Sequence, residues 1–291
     1  MNTKKYYDYR NNRSIDLDKD GCHIEHWKNM FDKASFAIHP KGFPVFSPIQ
    51  KLEECDEYSE FDPYTVEENL ESSFHQRRIE CTLQMIREAN ATMHIEPKIL
   101  DLGCGQGHIT NEIFKAFPTM EISGIDYSIS AIEYATDNFP GIDFAVGDAY
   151  EPPYTKDYFD IIICNNLWEH VPDPIFLLDR ITNILKSGGF IIISTPSRYR
   201  LENLIRVIRG KPVKFMSNYH VTEYSVGQVI EQLKYRDYQV KKIYSKPIEM
   251  WSLKTKAAKA ILSLLVSMIG SHHQLESTIF FLAQKKDSNT Q

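Results

Sequence analysis

Three glycines spaced by two, Gly103, Gly105 and Gly107, stand between a short apolar run and a helical pattern in Lys98-Ile99-Leu100-Asp101-Leu102-Gly103-Cys104-Gly105-Gln106-Gly107-His108-Ile109-Thr110. Glycine has no Cβ, so such a turn can take φ > 0 and bring its backbone amides against a ligand at a helix N-terminus. The stretch predicts a strand, a tight turn and a helix that together cradle a nucleotide-type cofactor. Asp126 ends the run Ile122-Ser123-Gly124-Ile125, 19 residues after Gly107. A carboxylate there can accept hydrogen bonds from two ribose hydroxyls. His170 and His220 lie further along, and an unperturbed imidazole, titrating near ~6.5, can take a proton at neutral pH.

The dinucleotide fingerprint G-x-G-x-x-G would need glycine where His108 stands. With the acid Asp101 in front, D-L-G-C-G-Q-G instead resembles motif I of the class I S-adenosylmethionine (SAM)-dependent methyltransferases. Three further stretches follow in that family's order: Gly147-Asp148-Ala149, the run Tyr158 to Asn165 continuing into Glu169-His170-Val171-Pro172-Asp173-Pro174, and Leu185-Lys186-Ser187-Gly188-Gly189 before a fifth strand. The resemblance implies a cofactor site of Asp101, Gly103, Cys104, Gly105, Gly107, Asp126, Tyr127, Asp148, Ala149, Asn165 and Leu167. It places Asp148 on the adenine amino group, the Ala149 amide against the ring, and Asn165 with Leu167 on the methionine half. A basic residue on the preceding helix, Arg77 or Arg78, would reach the cofactor carboxylate.

The resemblance extends to ubiquinone-biosynthesis O-methyltransferases and to bacterial enzymes that methylate sugars or secondary metabolites. In the ubiquinone enzymes an E-x-x-E-H run is associated with a metal; here Asn166 replaces its first acid, so no metal is expected. Glu169 and His170 are expected to brace the strand-end loop or face the substrate. Transfer to a hydroxyl needs a base as well as positioning, and His220 and His170 are the candidates. The implied activity is methyl transfer from SAM to an oxygen, or less readily a nitrogen, of a small or sugar-like acceptor. A non-catalytic SAM-binding regulator and a nicotinamide-dependent oxidoreductase are the alternatives; the latter should show the sixth-position glycine.

The elements that must hold these residues read as an alternation. Strands are predicted over 99–102, 122–125, 142–146, 161–164 and 190–194, and helices over 109–117, 130–138 and 175–185, after a long helix from 65 to 91. This is an α/β pattern: a Rossmann-like, doubly wound sheet of seven strands with the last antiparallel and helices on both faces. Ligands bind such sheets beyond the carboxyl ends of the strands, where the acids and glycines above fall. After Pro196 come a basic helix over 198–210, a loop over 219–225 that caps a helix through 234, and strands over 239–244 and 277–283. Between those strands the apolar run within 254–270 is too short to span a bilayer. It is expected to pack within the molecule or in a homodimer, with membrane contact less favoured.

Residues 1–63 lack periodicity and are rich in aromatics and prolines, which predicts an irregular N-terminal extension or lid ahead of a domain over 64–291, with helical insertions near 198–236 and 250–275. The 291 residues, 42% apolar, suffice for one large domain plus an extension. A net charge of −6 argues against nucleic acid as a partner. Five cysteines, odd in number and scattered, argue against a disulfide framework and for the cytoplasm. Cys22, His23 and His26 lack a second pair at ligand spacing.

Overall fold

The computed structural model describes residues 5–9, 11–17, 22–23, 36–46, 73–93, 95–244, 260–261, 264 and 277–287. Twelve strands are described: β1 (Tyr7–Asp8), β2 (Arg13–Ser14), β3 (Cys22–His23), β4 (Ala37–Ile38), β5 (Pro44–Val45), β6 (Lys98–Leu102), β7 (Glu121–Asp126), β8 (Asp143–Val146), β9 (Phe159–Asn165), β10 (Leu185–Pro196), β11 (Tyr238–Tyr244) and β12 (Thr278–Lys285). The helices are α1 (Ser73–Asn90), α2 (His108–Ala116), α3 (Ile129–Asn138), α4 (Pro174–Ile184), α5 (Leu201–Ile208) and α6 (Val226–Tyr235).

The main sheet runs β11-β12-β10-β9-β6-β7-β8, with β5, β4 and β3 added beyond β8. Pairing is parallel across β10-β9-β6-β7-β8, and β12 is antiparallel to both β10 and β11. The seven long strands therefore form the doubly wound sheet that the alternation predicts, with the last strand reversed. The order turns back between β6 and β9, so the crevice at this switch point opens beside the glycine turn that follows Leu102.

Successive strand residues point to opposite faces, and both faces here are apolar, as a sheet covered on two sides requires. In β9, Ile162 and Cys164 join the core with α4 and α6, through Leu177, Ile181, Val229 and Leu233. Ile161 and Ile163 face the other way, to Met85 of α1, Ile113 of α2 and Ile132 of α3. The helix starts carry the signals that place them. Ser128 Oγ accepts from Ala131 N at 3.1 Å, Asp173 Oδ1 accepts from Phe176 N at 2.9 Å ahead of Pro174, and Ser225 with Gln228 forms a capping box.

The stretch read as irregular contributes more order than its lack of periodicity suggests. Its strands are two residues each, below the length at which a period can be read. Tyr6, Ile15 and Phe36 nonetheless enter the core beside Tyr154. The Lys5 ammonium, 3% exposed, donates to Ser123 Oγ and lies 3.1 Å from Asp143 Oδ2, which ties the extension to β7 and β8. Of the apolar run expected between the last strands, Ile261 and Leu264 are helical and exposed; most of the run, like residues 65–72, lies outside the described residues.

Candidate functional site

The glycine turn is built as its sequence requires. Gly103, Gly105 and Gly107 have φ of +76°, +52° and +76°, a region that side chains rarely enter. Space excludes a Cβ as well: one on Gly107 would lie 2.8 Å from Phe144 Cζ, and one on Gly103 would lie 3.2 Å from Leu167 Cδ1. Gly103 N and Cys104 N both donate to Ile125 O, which binds the turn to β7. Gly107 caps α2, whose N-terminal amides point back toward the turn.

Two acids flank this cradle. Asp126, buried, accepts from Gly105 N at 2.8 Å through Oδ2 and from Ser128 N at 3.0 Å through Oδ1, so one carboxylate holds the turn and the start of α3 together. Asp101, also buried, accepts from Thr110 Oγ1 at 2.7 Å through Oδ2, while its Oδ1 has no hydrogen-bond partner among the described residues. Burial raises the Asp101 carboxyl to about 6, against the pull of the Thr110 hydroxyl and the Arg78 charge.

The other expected cofactor residues are distributed around these. Asp148 follows β8 by two residues and accepts from Tyr150 N at 2.8 Å; Ala149 and Tyr127 are half-buried. Leu167 lies over Gly103. Asn165 is buried and already engaged, donating to Thr82 Oγ1 on α1 at 3.1 Å and accepting from Ser194 Oγ on β10 at 3.0 Å. Its side chain therefore pins α1 to the sheet. Of the two candidate arginines of α1, Arg78 is near enough for its charge to act on Asp101, and Arg77 is buried in the same helix.

His170 and His220, 50 positions apart, meet with ring centroids 5.0 Å apart in an edge contact. The loop after β10 returns His220 to that place, because Val221 N and Thr222 N both donate to Glu169 O. The two rings sit in different fields. Burial first, then the charge of His220, lower the His170 pKa to about 4, so this ring is neutral at pH 7. His220 Nδ1 lies 3.0 Å from Glu223 Oε1. Glu223 is fully buried; burial alone would raise its pKa, but His220, the Met216 amide and Arg200 outweigh that and hold it below the usual carboxylate range. It therefore stays charged, 3.0 Å from the His220 ring.

Glu169, fully buried, accepts from Asn166 Nδ2 at 2.9 Å and from Thr195 Oγ1 at 3.0 Å. Burial raises its pKa. Glu169, His170 and His220 each offer an atom within 4.8 Å of the others. Both oxygens of Glu169 and Nδ1 of His220 also have hydrogen-bond partners. Glu223 and Arg200 had no place in the motif reading. Their signal was the spacing His220-x-x-Glu223, which does not reveal that the acid is buried beneath the ring.

A family model described as a methyltransferase domain matches residues 94–255. Among curated proteins, the chain is 32% identical over 151 residues to the malonyl-[acyl-carrier protein] O-methyltransferase of Halalkalibacterium halodurans, covering 46% of this chain and 55% of that protein. It is 34% identical over 99 residues to the trans-aconitate 2-methyltransferase of Methylobacterium radiotolerans, covering 33% and 37%. The chain thus spans about half the length, or less, of the curated relatives it matches. Among solved structures, it superposes on a SAM-dependent methyltransferase from Archaeoglobus fulgidus with a TM-score of 0.52, at 20% identity, over 77% of this chain and all of that one. The plantazolicin methyltransferase BpumL bound to S-adenosylhomocysteine gives 0.52 at 18%, over 82% and 98%.

Proposed function

Because the chain belongs to the methyltransferase-domain family, whose model matches more than half of it, we propose that it transfers a methyl group from SAM to an oxygen, less readily a nitrogen, of a small or sugar-like acceptor. The observation that carries this is the cradle: three glycines at positive φ, Asp126 tying the turn to the start of α3, and Asp101 with an orphaned buried oxygen. An orphaned buried acceptor is a costly feature unless a ligand donor completes it. An ammonium group, such as the one on the methionine half of SAM, fits that need. Asp126 would accept from the ribose hydroxyls, Asp148 from the adenine amine, and Leu167 would close over the turn.

The cofactor supplies an electrophilic methyl group on a sulfonium, so the protein's part is alignment and proton removal. We assign the base to His220, with Glu223 as the residue that positions it. With Nδ1 held toward Glu223, Nε2 is left to face an acceptor hydroxyl. His170, at about 4, is too weak a base at neutral pH and serves as a wall beside it. Residues 1–63 are assigned as an extension of the domain over 64–291, whose insertion near 198–236 shapes the acceptor side; nearly all of the insertion near 250–275 lies outside the described residues. The free thiols of Cys81, Cys104 and Cys164 suit a reducing compartment such as the cytoplasm.

The relatives named above act on a malonyl-acyl carrier protein and on trans-aconitate, both carboxylic acids. The test is therefore to incubate the purified protein with methyl-labelled SAM and a panel of carboxylic acids, phenols and sugars, following label in product and release of S-adenosylhomocysteine. Transfer to a carboxylate, which needs no base, with His220→Ala at parental rate would remove His220 from the chemistry.

A further inference from the structure

We propose that the face formed by α5 and the loop after it docks onto an anionic membrane surface. The whole chain carries a net charge of −6, yet, with Arg200 buried and paired to Glu223, residues 198–223 still carry Arg198, Arg206, Arg209, Lys211 and Lys214 against the single acid Glu202, a net of +4 from five minus one. The same stretch exposes large apolar side chains: Tyr199, Val207, Met216, Tyr219, Val221 and above all Ile208, which is 84% exposed at the end of α5.

These side chains are held out by a fixed scaffold. Arg200 is buried against Glu223 and donates to Lys214 O, Asn203 donates to Arg198 O and Lys214 O, and Lys214 N donates back to Asn203 Oδ1 at 2.9 Å. Arg206 Nε donates to Pro212 O at 2.9 Å, which folds the chain after Gly210 back along the helix. Leu201 and Asn203 turn inward, so α5 has one buried side and ends in an apolar, cationic tip. An ordinary surface would not expose this much aliphatic area beside one cluster of cations.

The charge pattern selects the occupant. A two-fold contact between copies would set the same patch against itself, placing four net positive charges opposite four. Lysine is depleted at the centre of protein interfaces, whereas apolar side chains interleaved with lysine and arginine are what an interfacial helix presents to anionic lipid. Docking would also set Tyr219 and Val221, which flank His220, at the lipid surface.

The test is co-sedimentation of the full chain with vesicles of phosphatidylcholine mixed with phosphatidylglycerol, and with vesicles of phosphatidylcholine alone. Binding is expected to the first and not the second, and to weaken by about tenfold or more as salt shortens the reach of the charges. Val207→Ser with Ile208→Ser, and separately Arg209→Glu with Lys211→Glu, should each cut binding by about tenfold or more while leaving the melting curve in place, since all four side chains are exposed. Failure of the parent to bind mixed vesicles at low salt overturns the proposal. So does undiminished binding by both double variants, or the finding that these residues hold a dimer together in the absence of lipid.

Discussion

Three donors converge on the buried carboxylate of Glu223, namely His220 Nδ1, the Met216 amide and Arg200, and on this rests the proposal that Glu223 positions His220 as the base. Replacing His220 by Ala should lower kcat by about 10²–10⁴-fold with a hydroxyl acceptor. Glu223→Gln keeps a hydrogen-bond acceptor but removes the charge that holds the ring in place, so it should lower kcat with little change in KM. Steady-state rates across pH check both. Asp101 gives a separate pH signature. Its carboxyl is raised to about 6, and a cationic ligand favours the ionised form, so binding must expel a proton below that pH. SAM affinity should fall as pH drops through about 6, by up to about tenfold per unit, and a flat titration would contradict the role given to Asp101. His75 and His170, both lowered to about 4, do not titrate in that window. Residue types at strand ends were enough to bring Asp101, Asp126 and the glycines together on paper. Glu223 was not legible in this way, because spacing cannot tell a buried acid from a solvated one. The hydrogen bonds of Asn165 to Thr82 and Ser194 were likewise not legible, because they join residues 83 and 29 positions away.

The glycine turn and the elements around it act as one unit, because the start of α2, Ala135 of α3 and Phe144 of β8 all meet at Gly107. Gly107→Ala would force a side chain into φ +76° and place its Cβ 2.8 Å from Phe144 Cζ. It should destabilise the fold by about 1–3 kcal/mol and weaken cofactor binding together, as read by thermal unfolding with and without S-adenosylhomocysteine. The loop cluster makes a different prediction. With the oxygens of Glu169 and Nδ1 of His220 already engaged, methyl transfer should survive dialysis against EDTA. Loss of activity restored by a divalent cation would recast Glu169, His170 and His220 as ligands. Strands and helices between 98 and 196 were readable within a few residues because their apolar periods differ, two in the strands and near four in the helices, and because Ser128, Asp173 and Ser225 mark helix starts. The two-residue strands before residue 46 were not, since their pairing is set by contact with β8 and not by local pattern.

Across the whole molecule the N-terminal extension completes the sheet that carries the site. Tyr6 stacks on buried Tyr154 at 5.3 Å and Lys5 reaches Ser123 and Asp143, so the first residues seal the β7 and β8 side of the core. Tyr6→Ala should cost about 3 kcal/mol in denaturant unfolding, the usual range for emptying an aromatic site, whereas a merely peripheral arm would make it nearly neutral. Above all this stands the claim that the crevice at the switch point is a SAM site. Calorimetric titration with S-adenosylhomocysteine measures it directly, using the parent and Asp126→Ala side by side. The account predicts saturable one-site binding by the parent, weakened by about 1–3 kcal/mol when the ribose acceptor is removed. No heat with S-adenosylhomocysteine, tighter binding of NAD, or equal affinity in Asp126→Ala would contradict it.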